Sequence, residues 1–272
     1  MKEVKKDDIV DIIPVILPAI SKNETAPKLN TRDHFAYVQG YPDGTVKPAG
    51  SITRAEVAAI LFRLMDADSR SLYYSTASGF RDVDSTKWYN TYVATLNNAG
   101  VITDSRTGYF RPNDAITRAE LAAMLAQFAE KKSAAIYFSD ISAGYWAANA
   151  IALTANLGWI NGYPDGTFKP NKPITRAEFA AIAARFDETQ SGKSATFSDV
   201  IGHWAAKEIG IAYYNDWIKG YPDGTFGPDK TVTRAELMAM VNRATGRAPK
   251  STSALLSGMK TWKDNADTAR WL

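Results

Sequence analysis

Residues Ser51–Leu64 read SITRAEVAAILFRL, and the four letters T-R-A-E at Thr53–Glu56 return at Thr117, Thr175 and Thr233. A threonine followed three residues later by a glutamate, ahead of an apolar run, marks a helix N-terminus. The hydroxyl accepts from the backbone N–H of the third helical residue, and the carboxylate accepts from the N–H of the threonine. The stretch therefore predicts a helix opening at Arg54, with three more at Arg118, Arg176 and Arg234. The arginine is the odd choice. At the first helical position the helix dipole presents partial positive charge and disfavours a cation by roughly 0.3–1 kcal/mol. A locally poor residue present in four copies asks for a partner outside its own helix.

Outward from these helices the chain repeats at intervals of roughly sixty residues. A second marker lies between them, as FRDV at Phe80, FSDI at Phe138 and FSDV at Phe197. The separation from each phenylalanine to the next T-R-A-E (Phe80 to Thr117, Phe138 to Thr175, Phe197 to Thr233) is nearly constant, whereas the return is longer in one case. After each F-x-D comes a tryptophan (Trp88, Trp146, Trp204) and a stretch such as WAANAIALTANLGWI, with apolar residues at near-helical spacing. A glycine ends it, and then a G-Y-P-D turn leads to the T-R-A-E helix. The turn is predicted from its proline in second place and the glycine that follows. Each unit is read as helix–loop–helix, making the fold class all-α. No unit is long enough to bury its own apolar face, so the units must pack on one another.

The organisation that follows is a linker or leader over residues 1–34 and a partial repeat, second half only, over 35–70. Full repeats span 71–130, 131–188 and 189–247, and residues 248–272 hold a linker and the start of a further half. In that last segment Trp262 takes the phenylalanine place and Trp271 the tryptophan place, and it is expected to dock near the first T-R-A-E helix. The apolar run Ile9–Ile20 carries Asp11, Pro14 and Pro18, which does not fit a signal peptide. One turn departs from the pattern: the second repeat reads TDSRTGYF from Thr103 to Phe110, keeping only Gly108 and Phe110 in register. The groove beside Arg118 is therefore in question.

Composition narrows the function. Of 272 residues 45% are hydrophobic, enough for a real core, and 32 basic against 29 acidic side chains leave a net charge of +3. That near-balance lacks the basic footprint of a nucleic-acid binder. The absence of cysteine excludes disulfides and thiolate metal sites or nucleophiles. No apolar run reaches the ~18 residues of a membrane span, so no membrane insertion is expected. The DNAD at Asp264–Asp267 and the P-D-G-T turns lack the full ligand set of a calcium loop. With two histidines, His34 and His203, no catalytic triad is placed. No enzyme activity, metal or cofactor is expected.

The order FSDV…HWA…GYPDGTF…TRAE resembles the S-layer homology (SLH) domain family over about residues 35–247. The resemblance implies a pseudo-threefold helical assembly with the T-R-A-E helices gathered centrally and ligand grooves between neighbouring units. It also implies an extracellular, cell-surface location. The implied partner is an anionic cell-wall polysaccharide, its sugars carrying pyruvate ketals, or peptidoglycan. On this view Arg54, Arg118, Arg176 and Arg234 join the helix N–H groups in binding carboxylate. The turns would line the grooves through Gly40, Tyr41 and Asp43, Gly162, Tyr163 and Asp165, and Gly220, Tyr221 and Asp223. Their glycines would admit a sugar to the backbone and their tyrosines would face it. Asp82, Asp140 and Asp199 would accept sugar hydroxyls, and Trp88, Trp146 and Trp204 would form apolar walls.

Plainer roles stand beside these. Each arginine would pair with a carboxylate of the neighbouring unit, each tryptophan would belong to the core, and each F-x-D aspartate would cap the following helix. Two other functions stay open: a module that packs protein against protein in a surface lattice through interface salt bridges, and the wall-targeting part of a peptidoglycan-active enzyme.

Overall fold

The computed structural model describes residues 27–28, 43–103, 107–129, 135, 138–184, 196–244 and 263–264. Among these the helices are α1 (Arg54–Leu64), α2 (Ala67–Tyr73), α3 (Asn90–Asn98), α4 (Arg118–Ala126), α5 (Ala148–Asn156), α6 (Arg176–Ala184), α7 (Ala206–Tyr214) and α8 (Arg234–Ala244). No sheet forms among the described residues, so the all-α helix–loop–helix reading holds. The T-R-A-E helices α1, α4, α6 and α8 start where the sequence places them. In each, the glutamate's Oε2 accepts the threonine N–H at 2.8–3.0 Å and the threonine hydroxyl accepts the glutamate N–H at 3.3 Å. Ile52, Ile116, Ile174 and Val232 precede the caps and are buried, at the position where an apolar residue fixes the entry angle of the chain.

Buried residues surround α1, α4 and α6 on nearly every side, which their alanine-rich, all-round apolar sequences require. What covers them is the helix of the following repeat: α3 packs on α1, α5 on α4 and α7 on α6. The repeats interlock, and no unit is assembled chiefly from its own two helices. The helices after the tryptophans end as expected at Gly100 and Gly158, both with φ of 71°, and at Asp216 in the third case, with φ of 57°.

The T-R-A-E segments close a cycle. Antiparallel backbone bridges join Thr53 to Ala115, Thr117 to Pro173, Thr175 to Thr231, and Ser51 to Thr233. Each segment touches the next, and the fourth returns to the first. The order implied by the resemblance was threefold; the described bridges give four. The reason is that the partial first repeat contributes a complete T-R-A-E helix with its own preceding turn. The segment that would complete that turn comes from the other end of the chain. Lys263 N–H donates to Gly44 O at 2.9 Å, and Asp264 accepts from the N–H groups of Val46 and Lys47 at 2.7 and 2.8 Å. Trp262 and Trp271 lie outside the described residues, as do Gly40, Tyr41 and His34.

Candidate functional site

The junction between one T-R-A-E helix and the next repeat's turn is built the same way each time. The first helical N–H, that of the arginine, donates to Asp114 O, Lys172 O, Lys230 O and Gly50 O in turn, at 2.8–3.0 Å. The following alanine N–H donates to Pro112 O, Pro170 O, Pro228 O and Pro48 O at 3.0–3.1 Å. With the third N–H held by the threonine, the donors that would meet an external anion are already engaged.

The guanidinium groups go the same way. Arg54, Arg118 and Arg176 are each 1% exposed and Arg234 is 4% exposed. Nε donates to the carbonyl of Phe110, Phe168 or Phe226 at 2.6–2.8 Å in the first three. Nη1 of Arg54 lies 2.6 Å from Glu120, that of Arg118 3.1 Å from Glu178, and that of Arg176 2.7 Å from Glu236; Arg234 pairs with Glu56. Every one of these glutamates belongs to the capping box of the next helix. One carboxylate oxygen caps its own helix and the other receives its neighbour's arginine, around the whole cycle. The open anion site expected at each T-R-A-E is thus closed by a carboxylate within the chain. The dipole penalty at the first helical position is offset by this buried pair.

The charge balance is tight. Burial alone would raise the pKa of Glu120 and Glu236, but Arg54 and Arg176 respectively, with the cap bonds from Thr117 and Thr233, hold both below the ordinary carboxylate value. Removing either partner would strand the other charge in a buried place.

The turn residues also serve the fold. Gly162 and Gly220 have ordinary φ, and a Cβ at either would stand 2.2 Å from the ring of Phe138 or Phe197. Their missing side chain makes room for the F-x-D phenylalanine. Asp82, Asp140 and Asp199 cap no helix; Asp140 and Asp199 stay exposed, and all three carboxylates are engaged by the turn backbone. Each places one oxygen on the N–H of Phe110, Phe168 or Phe226 and the other on that of Arg111, Lys169 or Gly227, at 2.7–2.8 Å. The second residue of each pair is in the left-handed region, with φ of 54–66°, which turns two consecutive N–H groups toward one carboxylate. Asp43, Asp165 and Asp223 each accept from the amide and hydroxyl of the threonine two residues on. The Thr167 bonds bring Asp165 down to about 2.

Tyr163 and Tyr221 are half-buried. Their hydroxyls donate inward to Glu178 and Glu236, the same carboxylates that pair with Arg118 and Arg176. Burial, then that hydrogen bond, pushes Tyr163 up strongly and Tyr221 up to about 12. The grooves are also assigned differently from the sequence reading. The altered turn of the second repeat covers Arg54, while Arg118 lies under the intact Gly162–Asp165 turn, 4.9 Å from the Tyr163 ring centroid.

Beyond that hydroxyl the outer surface is cationic and aromatic. Lys169 Nζ lies 3.8 Å and Lys172 Nζ 5.5 Å from the Tyr163 centroid, and the Trp204 ring of the next repeat stands edge-on 6.0 Å away. His203 packs on Trp204 at 5.4 Å, and its Nε2 is 3.6 Å from Asp229. Around Tyr221 one lysine remains, Lys230 at 4.6 Å. Trp88, Trp146 and Trp204 are half-buried against the core, with part of each ring outward. Sequence reasoning passed over Lys169 and Lys172, although both places recur: Lys47 and Arg111 stand where Lys169 does, and Lys230 where Lys172 does. Their signal was position: both follow the turn whose Tyr163 faces Trp204 across a junction.

The profile of the S-layer homology domain matches four segments, residues 36–58, 79–122, 137–180 and 196–238. A cellulosome-anchoring protein of Acetivibrio thermocellus is 33% identical over 226 residues, covering 80% of this chain and 37% of that protein. Cell surface glycoprotein 1 of the same organism is 34% identical over 229 residues, covering 80% of this chain and 7% of its own. The surface-layer 125 kDa protein of Lysinibacillus sphaericus is 32% identical over 158 residues, 56% of this chain and 13% of that one. The chain thus spans well under half the length of these relatives.

Proposed function

The chain belongs to the S-layer homology domain family, a cell-surface anchoring module, and from that premise we propose that it holds a bacterial surface protein to the cell wall by binding an anionic wall polysaccharide. The sugars would carry carboxylate, as in pyruvate ketals. The observation that carries this reading is the pair Lys169 and Lys172 beside Tyr163 and Trp204: an exposed Lys172 and a half-buried Lys169, the latter 3.2 Å from Asp165, next to a partly open indole. A charged sugar presents a carboxylate edge and an apolar ring face. Lysine ammonium groups would meet the first and Trp204 the second. The buried arginines hold the floor of this surface and do not reach the ligand themselves. Binding makes and breaks no covalent bond.

A second reading is a module that packs protein against protein in a surface lattice; arginines closed off by the carboxylates of neighbouring repeats favour it over an open arginine-lined groove.

The test is co-sedimentation of the purified chain with cell-wall sacculi, before and after acid extraction of the secondary polysaccharide, for wild type and Lys169→Ala/Lys172→Ala. The expected result is binding that falls at least tenfold with extraction and with the double substitution. Binding that survives extraction would redirect the assignment to peptidoglycan. A folded wild type that never sediments with sacculi would end the anchoring reading.

A further inference from the structure

Four turns in this molecule are held by the same three-bond clamp. In the second, third and fourth repeats a backbone N–H (Arg81, Ser139, Ser198) donates to a turn glycine carbonyl (Gly108, Gly166, Gly224). The neighbouring aspartate then takes two consecutive N–H groups of the turn. In those three cases the clamp and its turn lie within one continuous repeat, 27–29 residues apart. The first repeat has the same clamp with every atom in its place: Lys263 on Gly44, Asp264 on Val46 and Lys47, with the left-handed residue Lys47 at φ 48°. Here clamp and turn are 217–218 residues apart in sequence.

That difference changes what the contact can do. The clamps of Asp82, Asp140 and Asp199 each lie in the chain between two T-R-A-E helices that pair in the cycle, whereas none of the four T-R-A-E pairings involves Lys263 or Asp264. The Asp264 clamp lies beyond α8, joined to it through residues 245–262. It can leave the Asp43–Lys47 turn while all four T-R-A-E helices keep their pairings. The turn it leaves has a second support, since Pro48 O and Gly50 O are held by the N-terminus of α8.

We propose that the Asp43–Lys47 turn is a receptor for the segment around Asp264, filled from its own chain and open to the same segment of a second copy of this protein. The recognition chemistry is a carboxylate set on two adjacent backbone N–H groups beside one strand-like backbone bond, a pattern any copy of this chain supplies. Exchange of an identical element between copies needs no new contact. The short connection from α8 gives the resident segment an effective concentration in the millimolar range, so closure within one chain dominates in dilute solution. Pairing between copies then grows with protein concentration.

The experiment uses the full chain. Asp264→Ala should lose hydrogen-exchange protection at the Val46 and Lys47 amides and keep it at Phe168 and Lys169. A synthetic peptide of residues 257–272 added to that variant should restore protection at Val46 and Lys47, and the same peptide carrying Asp264→Ala should not. A fluorescent form of the peptide mixed with wild-type chain should bind by displacing the resident segment. That second arm needs no substitution and covers the case in which the variant fails to fold. Wild type at high concentration should sediment partly as dimer, in a fraction at least severalfold above that of Asp264→Ala. Unchanged protection in Asp264→Ala would overturn the clamp. Failure of the peptide both to rescue a folded variant and to bind wild type would overturn the exchange.

Discussion

The turns of the second and third repeats occupy equivalent places, yet one kept the G-Y-P-D sequence and the other lost it. In the third repeat, Glu178 receives Arg118 and the hydroxyl of Tyr163. In the second there is no such tyrosine, and the equivalent carboxylate, Glu120, receives Arg54 and the guanidinium of Arg111. Arg111 corresponds to Lys169, which in the third repeat stays outside against the tyrosine ring. The internal joint therefore survives a change that removes the aromatic platform on the surface. Joint and platform are separable, and only the joint is present in every described turn.

Breaking the joint separates the two regions most sharply. Arg118→Ala leaves Glu178 buried with a hydroxyl as its remaining side-chain partner, and should cost about 3–5 kcal/mol in urea unfolding. Arg54→Ala leaves Glu120 still paired with Arg111. It should cost less, by on the order of 1.5–3 kcal/mol, the worth of a charged hydrogen bond. Equal losses in the two variants would mean that Arg111 does not share the carboxylate in solution.

A smaller effect is expected from Gly162→Ala, which sets a methyl 2.2 Å from the Phe138 ring and 2.9 Å from Thr167 O. The ring must move, at about 1–3 kcal/mol. A neutral result in thermal unfolding would return that glycine to the role of ligand access. Below it comes Tyr163→Phe, which removes one donor from a buried carboxylate and should cost about 1–2 kcal/mol. Arg111→Ala should cost a comparable amount if the two donors are equivalent.

Alkaline titration isolates the phenols. Burial and the Glu236 bond raise Tyr221 from 10.0 to about 12. A raised folded pKa means stability fully present below pH 10 and lost as the pH climbs toward 12, because only the unfolded phenol ionises easily there. Unfolding followed from pH 9 to 12 should show this loss in wild type and a reduced loss in Tyr221→Phe. On the acid side the sign reverses. Glu120 and Glu236 are held below 4.5, so their contribution persists above that value and disappears as the pH falls through their folded values.

The capping boxes, the turns and the helix ends were all legible, since each depends on residues within a few positions of one another. Partner choice was not. In a tandem repeat every unit offers the same face one period along, so the sequence cannot say whether the helix after Trp146 packs on the T-R-A-E helix of its own repeat or of the one before. The structure chooses the one before, and that shift moved the altered Thr103–Phe110 turn from Arg118 to Arg54. The fourfold cycle was hidden for a related reason: two half-repeats at opposite ends make one whole only in space. Gly162 was not decidable from sequence because an absent side chain looks the same there whether a sugar or the Phe138 ring fills the gap. Lys169 and Lys172 went unnoticed because attention went to the letters kept in every repeat, and these places vary: Arg111 and Gly227 stand against Lys47 and Lys169, Gly50 and Asp114 against Lys172 and Lys230.

The clamp at Asp264 also has a mechanical side. It brings Lys263 within a hydrogen bond of Gly44, so nearly the whole cycle hangs as a loop between two points that touch. Tension applied to the chain on either side of that contact loads its three hydrogen bonds first. Only after they part does the pull reach the joints between Arg234 and Glu56 or between Arg54 and Glu120. A chain closed this way has a fuse at its mouth, and the buried joints of the cycle lie behind it.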